Sequence, residues 1–176
     1  MIGIAGAGGI GSNVAVNLIR SGVKKLKIVD FDRIEQSNLN RQFYFQDQIG
    51  RYKVEALKEN LQRINPEAQI ITLNTKIEEH NINDIFDDCD IIVEGFDKAQ
   101  YKALLIEYFI ETKSLIVSAS GIADHDLEEI KVKKIKDNCY IIGDFKKDIK
   151  DFKTYSTKVS IVAAMMANIV LEKTQW

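Results

Sequence analysis

A glycine-rich turn and a later acidic residue are the first features of this sequence that could do chemistry. Gly6, Gly8 and Gly11 follow the pattern G-x-G-x-x-G between an apolar run and an amphipathic segment. Such a turn lets the backbone approach a phosphate, and the helix that follows offers free N–H groups and a positive dipole end to an anion. Asp30 ends the next apolar run, where a carboxylate can accept hydrogen bonds from ribose hydroxyls. These residues together predict a nucleotide-binding site.

Two cations narrow the choice of nucleotide. Arg41 lies at the end of a polar run, and Lys53 opens the next amphipathic segment. Arginine can bind phosphate oxygens through two parallel hydrogen bonds, whereas lysine acts as a point charge. A helix dipole and backbone N–H groups can hold the pyrophosphate of NAD unaided, so two further cations favour a triphosphate. An NAD(P)-dependent oxidoreductase is the alternative, but it would leave both cations unused.

A second acidic position suggests a metal ion. Asp97 follows the fourth apolar run, in the segment VEGFD at 93–97. Ligands of open α/β sheets bind outside the carboxyl ends of the strands, and Mg²⁺ prefers oxygen ligands. Asp97 could therefore hold Mg²⁺ on the phosphates. It could equally cap the helix that follows, a position for which aspartate is well suited.

The elements that must position these residues alternate between short apolar strands and helices. We predict strands at 2–5, 26–30, 69–73, 90–94 and 115–119, with helices from the glycine turn to about 21, then at 53–64, 82–86 and 99–112. This alternation is typical of a parallel sheet that is covered on both faces. A hairpin at 130–135 and 139–142 and a helix at 157–172 complete the prediction. The fold class is therefore α/β, a Rossmann-like mostly parallel sheet with a C-terminal antiparallel hairpin and final helix.

Size and composition restrict the possible classes of function. The 176 residues, 45% of them hydrophobic and 28% charged, predict one domain over 1–176. A net charge of −2 argues against nucleic acid or an anionic membrane as partner. The apolar run at 161–167 is far shorter than the roughly 20 residues that span a bilayer. Cys89 and Cys139 are too few and too far apart for a zinc site, so we expect no zinc and a cytoplasmic location.

Five short motifs give the chain a resemblance to a known family. They are GAGGIG at 6–11, VDFD at 29–32, SNLNRQ at 37–42, KVEAL at 53–57 and RINP at 63–66. The sequence resembles the E1-like (ubiquitin-activating) superfamily, and within it the short bacterial ThiF proteins, over nearly the whole chain. SNLNRQ is highly specific in this context.

The resemblance implies an activity and a set of roles. It implies an ATP-dependent adenylyltransferase that activates the C-terminal Gly-Gly carboxylate of a small ubiquitin-like sulfur-carrier protein, ThiS-like and of the thiamine thiazole pathway, as an acyl-adenylate. It also implies a homodimer. The implied catalytic residues are Arg41, Lys53 and Asp97, with Asp97 as the ligand of Mg²⁺. The implied ATP-binding residues are Gly6, Gly8, Gly9, Gly11, Asp30, Asp32, Ser37, Asn38, Asn40, Arg41, Gln42 and Lys53.

The sequence also departs from the family pattern. It lacks the paired CxxC motifs that bind zinc in many relatives, and it begins at the first strand rather than at a preceding helix that carries an arginine. These departures keep open a degenerate E1-like subunit that binds without turnover. An E1-like protein that activates a tRNA base is a further alternative, which the low net charge disfavours.

Overall fold

The computed structural model describes residues 1–174. Within them one seven-stranded sheet forms from β1 (Ile2–Ala5), β2 (Lys25–Val29), β3 (Gln69–Leu73), β4 (Ile91–Glu94), β5 (Leu115–Ala119), β6 (Lys131–Lys136) and β7 (Cys139–Gly143). The strand order is β3-β2-β1-β4-β5-β7-β6. Every neighbouring pair is parallel except β6 and β7, which are antiparallel. The predicted fold class is therefore confirmed.

The helices of this part of the chain are α1 (Gly9–Arg20), α2 (Lys53–Ile64), α3 (Ile82–Phe86), α4 (Ala99–Phe109) and α5 (Ser156–Thr174). Two 3-10 turns, Gln36–Asn38 and Gln46–Gln48, interrupt the connection between β2 and α2. One face of the sheet packs against α1, α2 and α5, and the other packs against α3 and α4. Helices on both faces explain why β1 and β4 are buried at every residue.

Apolar spacing explains the long last helix. Val159, Val162, Ala163, Met166 and Val170 are all buried, and their spacing places them on one face of an α-helix. This face packs into the larger core together with α1. No helix within residues 1–174 is both long enough and apolar enough to cross a bilayer.

The sheet topology determines where a ligand can bind. From the centre of the sheet the chain proceeds outward through β1, β2 and β3 in one direction, and through β4, β5 and β7 in the other. The loops that leave β1 and β4 therefore diverge and leave a crevice at the carboxyl edge of the sheet. Both the glycine turn and Asp97 lie at this edge, after β1 and β4 respectively.

The predicted bounds hold for β1, β3, β5, α2 and α3, whereas β2 and α4 end earlier than predicted. Strand β2 ends at Val29, so Asp30 lies just beyond it. Helix α4 ends at Phe109 rather than at residue 112. The segment after the helix is held by a distant side chain. The side-chain amide of Asn138 donates hydrogen bonds to the carbonyl oxygens of Ile110 at 2.9 Å and Lys113 at 2.8 Å.

Candidate functional site

A cleft of about 470 Å³ lies at the carboxyl edge of the sheet. Its walls are formed by the glycine turn, the segment after β2, the start of α2, the segment after β4 and the loop between β7 and α5. Ten of the thirteen predicted site residues line it, namely Gly6, Gly8, Gly9, Asp30, Asp32, Asn40, Arg41, Gln42, Lys53 and Asp97. Segments from distant parts of the sequence therefore meet in one cavity.

The glycine turn requires glycine for two separate reasons. Gly6 has a φ of +94°, which side-chain-bearing residues rarely adopt. A Cβ atom on Gly11 would lie 1.8 Å from the carbonyl oxygen of Gly6, so α1 can approach the turn only without a side chain there. Gly11 thus packs behind the cleft rather than lining it. No side chain caps α1, and its first-turn N–H groups remain available to an anion.

Asp30 and Tyr44 hold this turn in place. Asp30 accepts a hydrogen bond from the N–H of Ala7 at 2.6 Å, and the buried Tyr44 hydroxyl donates to the carbonyl oxygen of Ala7 at 2.7 Å. Burial raises the pKa of Asp30, although the charge of Lys53 opposes this effect. Burial, with the charges of Asp30 and Asp32, raises the pKa of Tyr44 well above its usual value, so its hydroxyl remains a donor. Tyr44 was not among the predicted site residues, because its contact with Ala7 spans 37 residues.

Lys53 lies at the cleft and has a single ion-pair partner within residues 1–174. The Lys53 ammonium is 2.8 Å from a carboxylate oxygen of Asp32, and the backbone N–H of Lys53 donates to the Asp32 carbonyl oxygen at 3.0 Å. The Lys53 side chain is only 7% exposed, whereas that of Asp32 is 49% exposed. Because Asp32 remains hydrated, an incoming phosphate could replace it as the partner of Lys53 without stranding a buried charge.

The Arg41 side chain lies against the glycine turn, 32 residues away from Gly9 in the sequence. Its Cγ is 3.6 Å from the point where a Cβ of Gly9 would stand. Its guanidinium donates to the Ser37 carbonyl oxygen at 2.9 Å and to Oδ1 of Asn40 at 2.8 Å. Both acceptors are neutral, and no carboxylate lies within 4 Å of it in the described part of the chain. Its positive charge is therefore available to a phosphate.

Ser37 and Asn38 do not line the cleft, although they belong to the SNLNRQ motif. Oδ1 of the buried Asn38 accepts from the N–H of Glu35 at 3.0 Å, and the Ser37 carbonyl receives the Arg41 guanidinium. The two residues therefore shape the segment that presents Arg41. Gln42 does line the cleft, and its buried Oε1 has no hydrogen-bond partner among residues 1–174.

Asp97 is exposed at the cleft and does not cap a helix. Helix α4 begins at Ala99, with Lys98 at its N-cap position and no side-chain capping bond, so the capping alternative is wrong. The Asp97 carboxylate forms neither a hydrogen bond nor an ion pair within residues 1–174. Carboxylate oxygens suit Mg²⁺, and the described residues hold no cluster of three or more His, Cys, Asp or Glu able to bind a metal. A metal ion at Asp97 would therefore need further ligands from outside the described residues.

A buried glutamate supports the turn that carries Asp97. Glu94 ends β4 and is fully buried. It accepts hydrogen bonds from the Ser118 hydroxyl at 2.5 Å and from the N–H of Phe96 at 2.6 Å, and it pairs with Lys102 at 2.9 Å. These bonds fix the backbone between β4 and α4. This network has no local sequence pattern, because Glu94, Lys102 and Ser118 lie on three separate elements.

The far wall of the cleft is the segment 144–155, here called the cleft loop. Ile149, Phe152, Lys153 and Thr154 of this loop line the cavity. The loop is held at its base by a buried ion pair, in which the Lys158 ammonium lies 2.6 Å from Asp144. This wall was not predicted from the sequence, because no local pattern in the loop indicates a contact elsewhere in the chain.

The fold and cleft together define a class: a Rossmann-like α/β protein in which a glycine turn and an uncapped first helix meet Arg41 and Lys53 at the carboxyl edge of the sheet. Within that class the assignment is specific. The family model described as "ThiF family" matches residues 1–174, and the chain belongs to this family.

Curated relatives are similar over two thirds of the chain. The adenylyltransferase and sulfurtransferase UBA4 of Meyerozyma guilliermondii is 32% identical over 120 residues, which are 68% of this chain and 28% of the relative. The tRNA threonylcarbamoyladenosine dehydratase of Bacillus subtilis is 31% identical over 125 residues, 70% of this chain and 49% of the relative. The chain therefore spans about half the length, or less, of these relatives.

Solved structures share the fold. The tRNA N6-threonylcarbamoyladenosine dehydratase TcdA of E. coli, in complex with AMP, superposes with a TM-score of 0.89 at 21% identity, covering 99% of this chain and 85% of TcdA. MccB of E. coli with ATP gives a TM-score of 0.77 at 24% identity, covering 98% of this chain and 55% of MccB. The arrangement of strands and helices is thus common to proteins solved with adenine nucleotides.

Proposed function

We propose that this protein is an E1-like, ATP-dependent adenylyltransferase. The observation that carries the proposal is the meeting of the uncapped start of α1 with the cations of Arg41 and Lys53 in one cleft. In the proposed reaction a carboxylate oxygen of the substrate attacks the α-phosphorus of ATP. The bond from that phosphorus to the bridging oxygen breaks, and an acyl-adenylate and pyrophosphate form.

The residues of the cleft have distinct roles in this proposal. Asp30 binds the ribose, because a carboxylate accepts about four hydrogen bonds and its two backbone donors, Ala7 and Asp32, leave capacity for hydroxyl groups. The glycine turn receives the phosphates. Arg41 and Lys53 offset the charge that develops on the leaving pyrophosphate, and Asp97 holds Mg²⁺, which further neutralises the phosphates.

The proposed chemistry needs no general base. The substrate carboxylate is ionised at neutral pH and is already a nucleophile. Positioning and preorganised charge can therefore supply most of the rate enhancement. The set of cleft residues agrees with this requirement, since its titratable members are acids and cations rather than a nucleophile with an adjacent base.

The substrate that we propose is the C-terminal Gly-Gly carboxylate of a small ubiquitin-like sulfur carrier, ThiS-like, with the enzyme acting as a homodimer. Membership of the ThiF family and the similarity to UBA4, named as an adenylyltransferase and sulfurtransferase, support this choice. A modified tRNA nucleoside is the second candidate. The similarity to the Bacillus subtilis tRNA threonylcarbamoyladenosine dehydratase, over 70% of the chain, favours it.

Exchange of labelled pyrophosphate into ATP tests the proposal. Exchange that requires a ThiS-like carrier with an intact C-terminus would support the protein substrate, and exchange that requires tRNA would support the second candidate. Binding of ATP with no exchange on either substrate would indicate a degenerate subunit. Binding of NADH without binding of ATP would overturn the proposal. Arg41→Ala should abolish exchange while leaving the circular dichroism spectrum unchanged.

A further inference from the structure

We infer that Lys153 of the cleft loop is a third phosphate-binding cation, an assignment that rests on the proposed function. Five positively charged side chains line the cleft: Arg41, Lys53, Lys76, Lys98 and Lys153. Lys53 is paired with Asp32 at 2.8 Å, and Lys76 with Glu78 at 2.7 Å. Within residues 1–174, Lys98 and Lys153 have no carboxylate within 4 Å. Within the described residues, the cleft cations without a carboxylate partner are therefore these two lysines and Arg41.

The backbone that carries Lys153 is held in place. Its carbonyl oxygen accepts a hydrogen bond from the N–H of Asp124 at 2.8 Å, and Thr154 pairs with Asp124 as an isolated parallel bridge. Asp124 has a φ of +67°, an uncommon conformation for a residue other than glycine. It is itself bound by the Lys147 ammonium at 2.5 Å. The loop thus presents Lys153 from a fixed position.

The segment that follows the cleft loop contacts the start of α1, where the phosphates are proposed to bind. Three residues after Lys153 the chain enters α5, whose Val159 places a methyl group 3.3 Å from the point where a Cβ of Gly9 would stand. The Arg41 side chain lies 3.6 Å from that same point. Gly9 is thus flanked by Arg41 on one side and by the start of α5 on the other. Asp30, the proposed ribose ligand, lies just beyond the end of β2 and accepts the N–H of Ala7, before α1 begins. Lys98, in contrast, follows Asp97 and lies beside the proposed metal ligand.

A matched control exists in the same loop. Lys150 carries the same charge, forms no ion pair among the described residues and does not line the cleft. Replacing Lys150 tests whether the charge of a lysine in this loop changes ATP affinity from a distance, without contact with the nucleotide. Replacing Lys153 tests contact with the nucleotide.

Calorimetric titration of the full chain with ATP, AMP and adenosine tests the assignment. Lys153→Met should weaken ATP binding about tenfold, as expected for the loss of one charged hydrogen bond, and should leave AMP and adenosine binding unchanged. Lys153→Arg should restore most of the ATP affinity, and Lys150→Met should bind all three like the wild type. An unchanged ratio of ATP to AMP affinity in Lys153→Met would overturn the inference. Failure of the wild type to bind ATP would instead overturn the proposed function.

Discussion

Two lysine–aspartate pairs with nearly equal N–O distances have different consequences for this molecule. Lys53 and Asp32 are 2.8 Å apart at the cleft, and Lys158 and Asp144 are 2.6 Å apart at the base of the cleft loop. The Asp32 side chain is 49% exposed, whereas the side chains of the second pair are 2% exposed or less. The N–O distance alone therefore does not distinguish an ion pair whose lysine can bind a substrate phosphate instead from an ion pair that stabilises the fold.

The surroundings of the buried pair explain the difference. Asp144 also accepts hydrogen bonds from the N–H groups of Lys146 at 2.8 Å and Lys147 at 2.9 Å, and the Lys158 ammonium also donates to the Ala123 carbonyl oxygen at 2.7 Å. The pair thus ties both ends of the cleft loop to the segment after β5. Lys53, in contrast, has Asp32 as its one ion-pair partner in the described chain, and that partner faces water.

The largest effect is expected from breaking the buried pair. Lys158→Met leaves the Asp144 carboxylate buried without its counter-ion, and we expect the free energy of unfolding to fall by about 3–5 kcal/mol. Urea denaturation measures this change. Lys173→Met is the matched control on the same helix, because Lys173 pairs with Glu172 at the surface, where an ion pair contributes little to stability, and this variant should unfold nearly like the wild type. Equal losses in the two variants would show that burial does not distinguish these pairs.

Lys53→Met should show the reverse pattern. Loss of the Lys53 ammonium should reduce pyrophosphate exchange by about 10²–10³-fold, the usual effect of removing one preorganised group that stabilises charge in the transition state. The free energy of unfolding should change by only about 1 kcal/mol, because Asp32 is left hydrated. Lys58→Met, on the same helix but outside the cleft, should retain full exchange. A Lys53→Met protein that unfolds like Lys158→Met would contradict the comparison.

The same contrast explains how much of the site the sequence could predict. The glycine turn, Asp30, Arg41 and Lys53 all lie within the first 53 residues, and each has a recognisable local context of strand end, turn or helix start. Helix α2 was predicted with its observed bounds, since its apolar face is regular and Pro66 follows. The topology of the sheet then brings these positions together without further information.

The opposite wall could not be predicted, because its contacts are non-local. Asp124 and Lys147 are 23 residues apart, and Ala123 and Lys158 are 35 residues apart. Neither spacing follows a helix or strand period. Lys158 lies inside a stretch that was correctly predicted as an apolar helix, in which a single lysine gives no sign of being buried. Only the folded arrangement shows that the cleft loop forms part of the site.

The two walls should also respond to pH with opposite signs. Burial alone would raise the pKa of Asp144. The hydrogen bonds from Lys158 and from two backbone N–H groups lower this pKa by more than burial raises it, so the pKa lies below the ordinary value of 3.8. Its contribution to stability is complete above that value and is lost as the pH falls below it. The pKa of Asp30 is raised above 3.8 by burial, so protonation of Asp30 favours the folded state at less acidic pH.

Asp30→Asn isolates this opposite contribution. Urea denaturation of the variant and the wild type should be compared between pH 3.8 and 7. As the pH falls through the raised pKa of Asp30, the wild type should gain stability relative to Asp30→Asn, which has no carboxyl group to protonate at this position. A stability difference that stays constant over this range would show that Asp30 titrates alike in the folded and unfolded chain.

The smallest effect, and the most selective, is expected from salt. Raising the NaCl concentration from 0.1 M to 1 M shortens the Debye length from about 10 Å to about 3 Å. ATP binding should weaken several-fold, because Arg41 and Lys153 are open to ions and the buried Lys53 pairs with Asp32, whose side chain is half-exposed. The stability difference between wild type and Lys158→Met should stay nearly constant, since buried pairs are screened much less. Parallel calorimetry and denaturation at the two salt concentrations measure both quantities. If salt reduced that stability difference as strongly as it reduces ATP affinity, water and ions would reach both pairs alike, and the distinction between an exchangeable and a structural ion pair would fail.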